Sequence, residues 1–381
     1  MNFFDREEDC GKVWDLFDKD KDVLMLAPRR IGKTCLLHQL RGQGADKGYS
    51  AIVFDMEGYT EEKDFFQQLC SAIQEEIGSG GTLLSTFTQR FKQIIKGPDT
   101  DGDWRQLLFH TDWRQFAETL LSTLNEPENG KQWLIMVDEI PIFIHALLKS
   151  DDRNRASGFL YWLRNMRQRY RNVRWLYTGS IGLDSVSRRE EMEGALLDLE
   201  VFSLKPFTSK TAEAFLESLA EKDSCSFSKG VIPHILEGLG WLSPYYLEKI
   251  FMEACARKDG KGIVSQQVAQ EALDAMLQLD KRLYWASWRE HLTKNFSDPE
   301  RSHLFRILEV IAADIHGASR DTLLLALNRG DVQINDKQLT NLIDTLEGDG
   351  YIIACDENRT RYRFVMNLLR QWWLRYVVAA A

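Results

Sequence analysis

A run of apolar residues, 23–26, leads into Ala27-Pro28-Arg29-Arg30-Ile31-Gly32-Lys33-Thr34 and then into a helix-period stretch, 35–40. A strand, a loop ending in Gly-Lys-Thr and a helix form the setting in which backbone N–H groups and a helix amino end cradle a phosphate chain. In such a loop Pro28, Arg29, Arg30, Ile31 and Gly32 line the cradle and Cys35 opens the helix. Lys33 reaches the terminal phosphates, and the Thr34 hydroxyl can hold Mg²⁺. Ala27 stands where the first glycine of such a loop usually stands. The competing reading, a surface turn with a chance Gly-Lys-Thr, is opposed by the strand that precedes it.

About a hundred residues on, Trp133-Leu134-Ile135-Met136-Val137 ends in Asp138-Glu139. An aspartate at a strand end beside a phosphate loop can bind Mg²⁺ through water. An adjacent glutamate can orient or deprotonate the water that attacks a γ-phosphate. The plainer alternative is two carboxylates that end a strand at the surface. A further apolar run at 173–178 ends in Thr178-Gly179-Ser180, which makes Thr178 or Ser180 a candidate γ-phosphate sensor; ordinary turn residues are the alternative. In the helical stretch before it, Arg164, Arg167 and Arg171 fall at i, i+3 and i+7 on one face. Arg167 in such a stripe is a candidate arginine finger for a neighbouring subunit, against the alternative of a solvated face.

These pieces sit in a recognisable order. Candidate strands at 23–27, 51–55, 133–138, 175–178 and 201–204 alternate with helix-period stretches, the mark of βαβ units and a parallel sheet. The stretch 56–132 reads as helices around a polar loop at 97–103. After Leu204 strands give way to helix period, with Thr208 or Ser209 as an N-cap and helices over 231–239, 245–256 and 284–296. From about 301 the order is helix (304–313), helix (321–327), helix (336–346) and a hairpin (351–355 and 361–365), which is that of a winged helix. Asn335 with Gln338 three residues on makes a capping box, and Gly348 is a helix stop. The expected domains are therefore 1–208, 209–280 and 281–381.

With 48 Lys+Arg against 57 Asp+Glu the formal charge is −9, so nucleic-acid binding would need a local patch. The third winged-helix segment, 335–349, supplies none: Asp336, Asp344, Glu347 and Asp349 face one Lys337. Arg359, Arg361 and Arg363 leave a wing-first contact with DNA open, but a protein partner or self-association is the preferred expectation. Trp372 and Trp373 are expected to pack against this domain or the lid, an exposed partner surface being the alternative. No stretch reaches the 18 or so apolar residues of a membrane helix. The amino terminus is charged where a signal peptide would be apolar, and the six cysteines show no CxxC or metal-finger spacing. A cytoplasmic protein with reduced thiols, without disulfide or zinc, is expected. Asp18, Asp20 and Asp22, like Asp99, Asp101 and Asp103, lack the glycine and glutamate of a calcium loop and read as acidic turns.

The combination of Phe4-Asp5-Arg6-Glu7, Pro28-Arg29-Arg30-Ile31-Gly32-Lys33-Thr34, Val137-Asp138-Glu139, Thr178-Gly179-Ser180-Ile181-Gly182 and Ser243-Pro244-Tyr245-Tyr246-Leu247 resembles the archaeal-type ATPases of the STAND and origin-recognition side of the AAA+ superfamily. The resemblance spans essentially the whole chain. It implies a P-loop α/β base with a parallel sheet flanked by helices, followed by a helical lid and a winged helix. It implies ATP and Mg²⁺ as ligands, with ATP exchanged for ADP by hydrolysis. Lys33 and Thr34 would serve phosphate and metal, Asp138 metal, Glu139 water, and the 178–180 turn γ-phosphate, with Arg6 near the adenine and Pro244 in the lid. Two departures stand out: Ala27, and a lid segment, Gly240-Trp241-Leu242-Ser243-Pro244, that has no sensing arginine. The resemblance supports an ATP-driven switch acting on oligomeric state or partner engagement; a nucleotide-dependent DNA-binding module with little turnover is the alternative.

Overall fold

The structure, a computed structural model, describes residues 4–77, 86–87, 89–90, 105, 108, 111–126, 132–149, 153–179, 191–328 and 333–379. The chain divides into two compact units: residues 1–27 with 33–204, and residues 28–32 with 205–381.

In the first unit the described helices are α1 (Glu7–Asp18), α2 (Lys33–Gln43), α3 (Glu62–Ile77), α4 (Trp113–Leu124), α5 (Ile140–Lys149) and α6 (Arg153–Arg169). The strands β1 (Asp22–Leu26), β2 (Tyr49–Asp55), β3 (Gln132–Asp138), β4 (Val173–Gly179) and β5 (Leu199–Ser203) form one parallel sheet in the order β2-β3-β4-β1-β5. All five expected strands are present, each within two residues of its expected start. Residues 133–138 of β3 and all of β4 are buried, as continuous apolar runs demand. The edge strand β5 alternates more, exposing Glu200 and Val201. One aromatic cluster fills the core: Phe65 lies 5.3 Å from both Phe54 and Phe159, ring centre to ring centre, and Trp162 meets Phe66 edge-on at 5.3 Å. Each such ring, fully buried, contributes about 1.5–3 kcal/mol before the entropy of ordering is counted. Asp112 caps α4 by accepting from the backbone N–H of Arg114 at 2.8 Å. The polar loop expected at 97–103 lies outside the described residues.

In the second unit α7 (Ser209–Lys222), α8 (Val231–Leu239), α9 (Pro244–Cys255), α10 (Gln266–Ala275) and α11 (Leu283–Asn295) come first. Thr208 is the N-cap of α7, and Pro244 takes the first helical position of α9, where its missing N–H costs nothing. The expectation that strands end at Leu204 needs correcting. Two-residue strands β6 (Ser226–Phe227) and β7 (Ile263–Val264) pair in parallel. A two-residue strand is too short to leave a period in the sequence.

There follow α12 (Glu300–Ala312), β8 (Ala318–Ser319), α13 (Arg320–Leu327), α14 (Asp336–Gly348), β9 (Ile352–Ala354), β10 (Arg361–Phe364) and α15 (Asn367–Trp373). The antiparallel order β8-β10-β9 completes a winged helix, with β8 the strand that the pattern did not reveal. The Asn335–Gln338 capping box forms in full. α14 ends at Gly348, as expected, and the left-handed turn falls two residues later at Gly350, φ 79°. Trp372 and Trp373 are buried, the latter 5.5 Å from the Phe305 ring. No helix among the described residues is long and apolar enough to cross a membrane.

Candidate functional site

The order of the sheet decides which strand ends meet. Because β4 lies between β1 and β3, Thr178 pairs in register with Met25, and Tyr177 with Val137. The carboxyl ends of β1, β4 and β3 are thus neighbours, and the crevice beyond such ends is where α/β sheets bind ligands. The chain leaves β1 at Leu26 and enters α2 at Lys33, so the intervening residues reverse direction within six positions. Arg30 (φ 65°) and Gly32 (φ 98°) take left-handed backbone to do so. For Gly32 that costs little, but for Arg30 it is strained, and such strain concentrates at functional loops.

Within the first unit, Lys33 is buried and its ammonium donates to the Ala27 carbonyl at 3.1 Å, closing the loop on itself. The Thr34 hydroxyl donates to one oxygen of Asp138 at 3.0 Å, across 104 residues of sequence. The other Asp138 oxygen accepts from the backbone N–H of Glu139 at 3.0 Å. Glu139 itself sits at φ 53°, and its carbonyl accepts from Ile142 and Phe143 as α5 begins. A non-glycine residue held in this conformation between a strand and a helix has its direction set by the backbone.

Burial pushes the Asp138 carboxyl up to about 6, and the neighbouring Glu139 carboxylate adds to the rise. Lys33 and the Thr34 hydroxyl oppose it. Asp55, at the end of β2, is also raised, by burial first and by Glu139 in part. Three carboxylates crowd one strand edge, an arrangement that a cation relieves. Among the described residues no three His, Cys, Asp or Glu side chains are arranged to hold a metal ion unaided. A hydroxyl and one carboxylate suit Mg²⁺, which takes its remaining ligands from water and phosphate. The Thr178 hydroxyl is buried and has no hydrogen-bond partner among the described residues. Ser180 lies outside the described residues.

Residues 28–32 are built into the second unit. The Ser243 hydroxyl, at the N-cap position of α9, makes no capping bond and donates instead to the Arg30 carbonyl. The Arg30 guanidinium lies over the Tyr245 ring, 4.5 Å from its centre. Pro28 abuts Gly350, where an added Cβ would come 2.7 Å from that of Pro28. Arg29 is half-buried near the Tyr246 and Tyr351 hydroxyls, and its charge works against the burial that raises both. Ser243, Tyr245 and Gly350 were not among the residues that the sequence singled out for the loop. The only available signal was the run Ser243-Pro244-Tyr245 at a helix start.

Arg6 is buried and paired with Asp9 at 2.8 Å on α1. The arginine stripe has to be corrected. The guanidinium of Arg167 is buried, bidentate to Asp198 at 2.8 and 3.0 Å, and donates to the Ala195 carbonyl at 2.8 Å. It also donates to the Tyr177 hydroxyl at 3.4 Å, and a guanidinium held inside its own unit on four acceptors is a structural cross-link, not a finger. Arg164 donates to the Gly194 carbonyl at 2.6 Å, and Arg171 lies beyond the end of α6. On the wing, Arg359 is paired with Asp344 at 2.6 Å and with Glu347, Arg361 donates to the Gly317 carbonyl at 2.9 Å, and Arg363 to that of Phe364 at 3.4 Å.

The sheet order and the strand-loop-helix at β1 define the fold class: a P-loop α/β fold with a parallel sheet flanked by helices, followed by further helices and a winged helix. The Walker-type ATPase of Pyrococcus abyssi has this fold, with a TM-score of 0.68 at 18% identity over 97% of this chain and 95% of that one. So does the Aeropyrum pernix ORC2 protein, solved as ADPNP–ADP complexes, with a TM-score of 0.58 at 15% identity over 100% and 97%. In sequence the chain is similar to an uncharacterized ATP-binding protein of Methanocaldococcus jannaschii, 19% identical over 348 residues and 86% of each chain. No family model matches the chain.

Proposed function

We propose that this protein binds and hydrolyses ATP with Mg²⁺ and acts as a nucleotide-dependent switch, its second unit carrying the response to oligomeric state or to a protein partner. One observation carries the switch reading: five residues of the phosphate loop, 28–32, are held by Ser243, Tyr245 and Gly350 of the second unit while Lys33 and Thr34 stand in the first. Whatever the loop does on meeting a phosphate chain acts directly on those holding contacts. The ATP-binding relative and the nucleotide-bound Aeropyrum structure support ATP as the ligand.

The geometry supports a role for each residue. Lys33 exchanges the Ala27 carbonyl for phosphate oxygen, which satisfies a buried ammonium more strongly than an amide does. The Thr34 hydroxyl and the Asp138 carboxylate, already 3.0 Å apart, would hold the ion, Asp138 through water. Held there, Mg²⁺ would supply neutralisation of the phosphate charge. Glu139 accepts the proton of the attacking water, its place fixed by the backbone at φ 53°. The Thr178 hydroxyl is a buried donor without a partner among the described residues, suited to the γ-phosphate or to that water.

Three proteins test this: wild type, Lys33→Ala and Glu139→Gln. Wild type should bind and turn over ATP, Lys33→Ala should bind at least tenfold more weakly, and Glu139→Gln should bind ATP while losing about 10²–10⁴-fold in rate. Mass in solution with Glu139→Gln and ATP, compared with the same protein without nucleotide, reads the switch. Wild-type affinity and turnover no greater than those of Lys33→Ala would sink the proposal.

A further inference from the structure

The second unit brings together two cysteines that the proposed nucleotide chemistry does not use. Cys225 follows the end of α7 and Cys255 is the last residue of α9, and their sulfurs are 2.6 Å apart. That is closer than two unbonded sulfurs ordinarily approach, and both residues are half-buried. Hydrogen bonds of the main chain hold the pair in place. The Cys225 N–H donates to the Ala220 carbonyl at 3.0 Å, and the next N–H, of Ser226, donates to Gly262 at 2.9 Å as β6 meets β7. Beyond Cys255, the Lys258 ammonium donates to the Asp223 carbonyl at 3.0 Å, tying the two turns to each other.

Cys225 also lines a surface cavity of about 560 Å³, bordered by Glu213, Glu217, Glu221 and Lys229. The cavity therefore brings a small reagent up to one of the two cysteines. The three glutamates sit on successive turns of α7, so the path favours cationic over anionic reagents.

We infer that Cys225 and Cys255 form a dithiol–disulfide site: Cys225 captures a small-molecule disulfide entering through the acidic cavity, and Cys255 resolves it to an intramolecular cross-link. In the first step the Cys225 thiolate attacks one sulfur of R–S–S–R, forming a mixed disulfide and expelling RS⁻. In the second the Cys255 sulfur, giving up its proton, attacks the Cys225 sulfur and expels the second RS⁻. The balance is two protein thiols plus R–S–S–R giving one protein disulfide plus two R–SH. Burial, reinforced by Cys225, pushes the Cys255 thiol up to about 12, which opposes its ionisation, so the second step relies on the closeness of the two sulfurs.

The test uses the full-length folded chain with cystamine as the cationic disulfide and glutathione disulfide as the anionic one. With cystamine the intact mass should fall by about 2 Da with no adduct retained, and a non-reducing digest should yield the 225–255 peptide pair. The thermal midpoint should rise by on the order of 5 °C and return on reduction. Cys255→Ser should stop at a cystamine adduct on Cys225, while Cys225→Ser should form no cross-link. Glutathione disulfide should react at least several-fold more slowly at low salt. A stable adduct on the wild type, a cross-link that forms only in denaturant, or a different cysteine pair would overturn the site. Equal rates for the two reagents would overturn the cavity's role in it.

Discussion

At the scale of single residues, the raised Asp138 carboxyl has a thermodynamic consequence. An aspartate in an unfolded chain titrates near ~3.9, whereas here burial moves it to about 6. The folded state therefore holds its proton more tightly, so stability falls as pH rises from about 4 to about 6 and then levels. Asp22 is pushed to about 6 as well, chiefly by burial, and titrates in the same window. In the absence of nucleotide, Asp138→Asn should be more stable than wild type at pH 8 by up to about 3 kcal/mol, the difference shrinking to nothing near pH 4. Urea unfolding at the two pH values measures this, and a variant less stable than wild type at pH 8 would refute it. Arg167 predicts the reverse kind of effect. Removing the guanidinium leaves Asp198 and the Ala195 carbonyl without it, so Arg167→Ala should cost about 3–5 kcal/mol of unfolding free energy. Lys33, Thr34, Asp138 and Glu139 were legible as candidates because each lies in a short run of chain whose pattern is local. Arg167 was misread because spacing on a helix gives an angle about the axis but does not say that a turn 31 residues later will bring Asp198 against it.

At the scale of elements, the long, periodic pieces were legible and the short, paired ones were not. β1, β3 and β4 announce themselves as apolar runs, and α14 by its capping box. β6, β7 and β8 have two residues each and exist only because a partner segment lies beside them. The same reason hid the holding contacts of the phosphate loop. Ser243 donates to a carbonyl 213 residues earlier, and no local rule connects the start of α9 to Arg30. Two substitutions probe these contacts. Ser243→Ala removes the donor to the Arg30 carbonyl and should cost about 1 kcal/mol of stability while changing ATP affinity. Gly350→Ala adds a Cβ at φ 79° that meets Pro28, and should destabilise by about 1–3 kcal/mol. Thermal unfolding paired with nucleotide titration reads both; unchanged nucleotide affinity in both variants would mean that the second unit does not influence the loop.

At the scale of the whole molecule, the charge of −9 gains an address. The acidic α14 is where a winged helix would read DNA, and Arg359, the wing arginine nearest to it, is already paired with Asp344 and Glu347. We therefore expect no salt-dependent association with random-sequence duplex DNA down to about 50 mM salt, by fluorescence anisotropy. A fall in affinity with rising salt, abolished by Arg361→Ala and Arg363→Ala together, would reinstate the wing as a DNA contact. The division of the chain also bears on how it can be taken apart. A fragment ending at Leu204 would be contiguous in sequence yet would carry residues 28–32 without Ser243, Tyr245 or Gly350, and a fragment starting at Lys205 would lack the five residues those three hold. Neither half is an independent module for swapping or transplantation; expressed as two separate polypeptides, the halves are instead natural candidates for a split reporter, each missing what the other supplies.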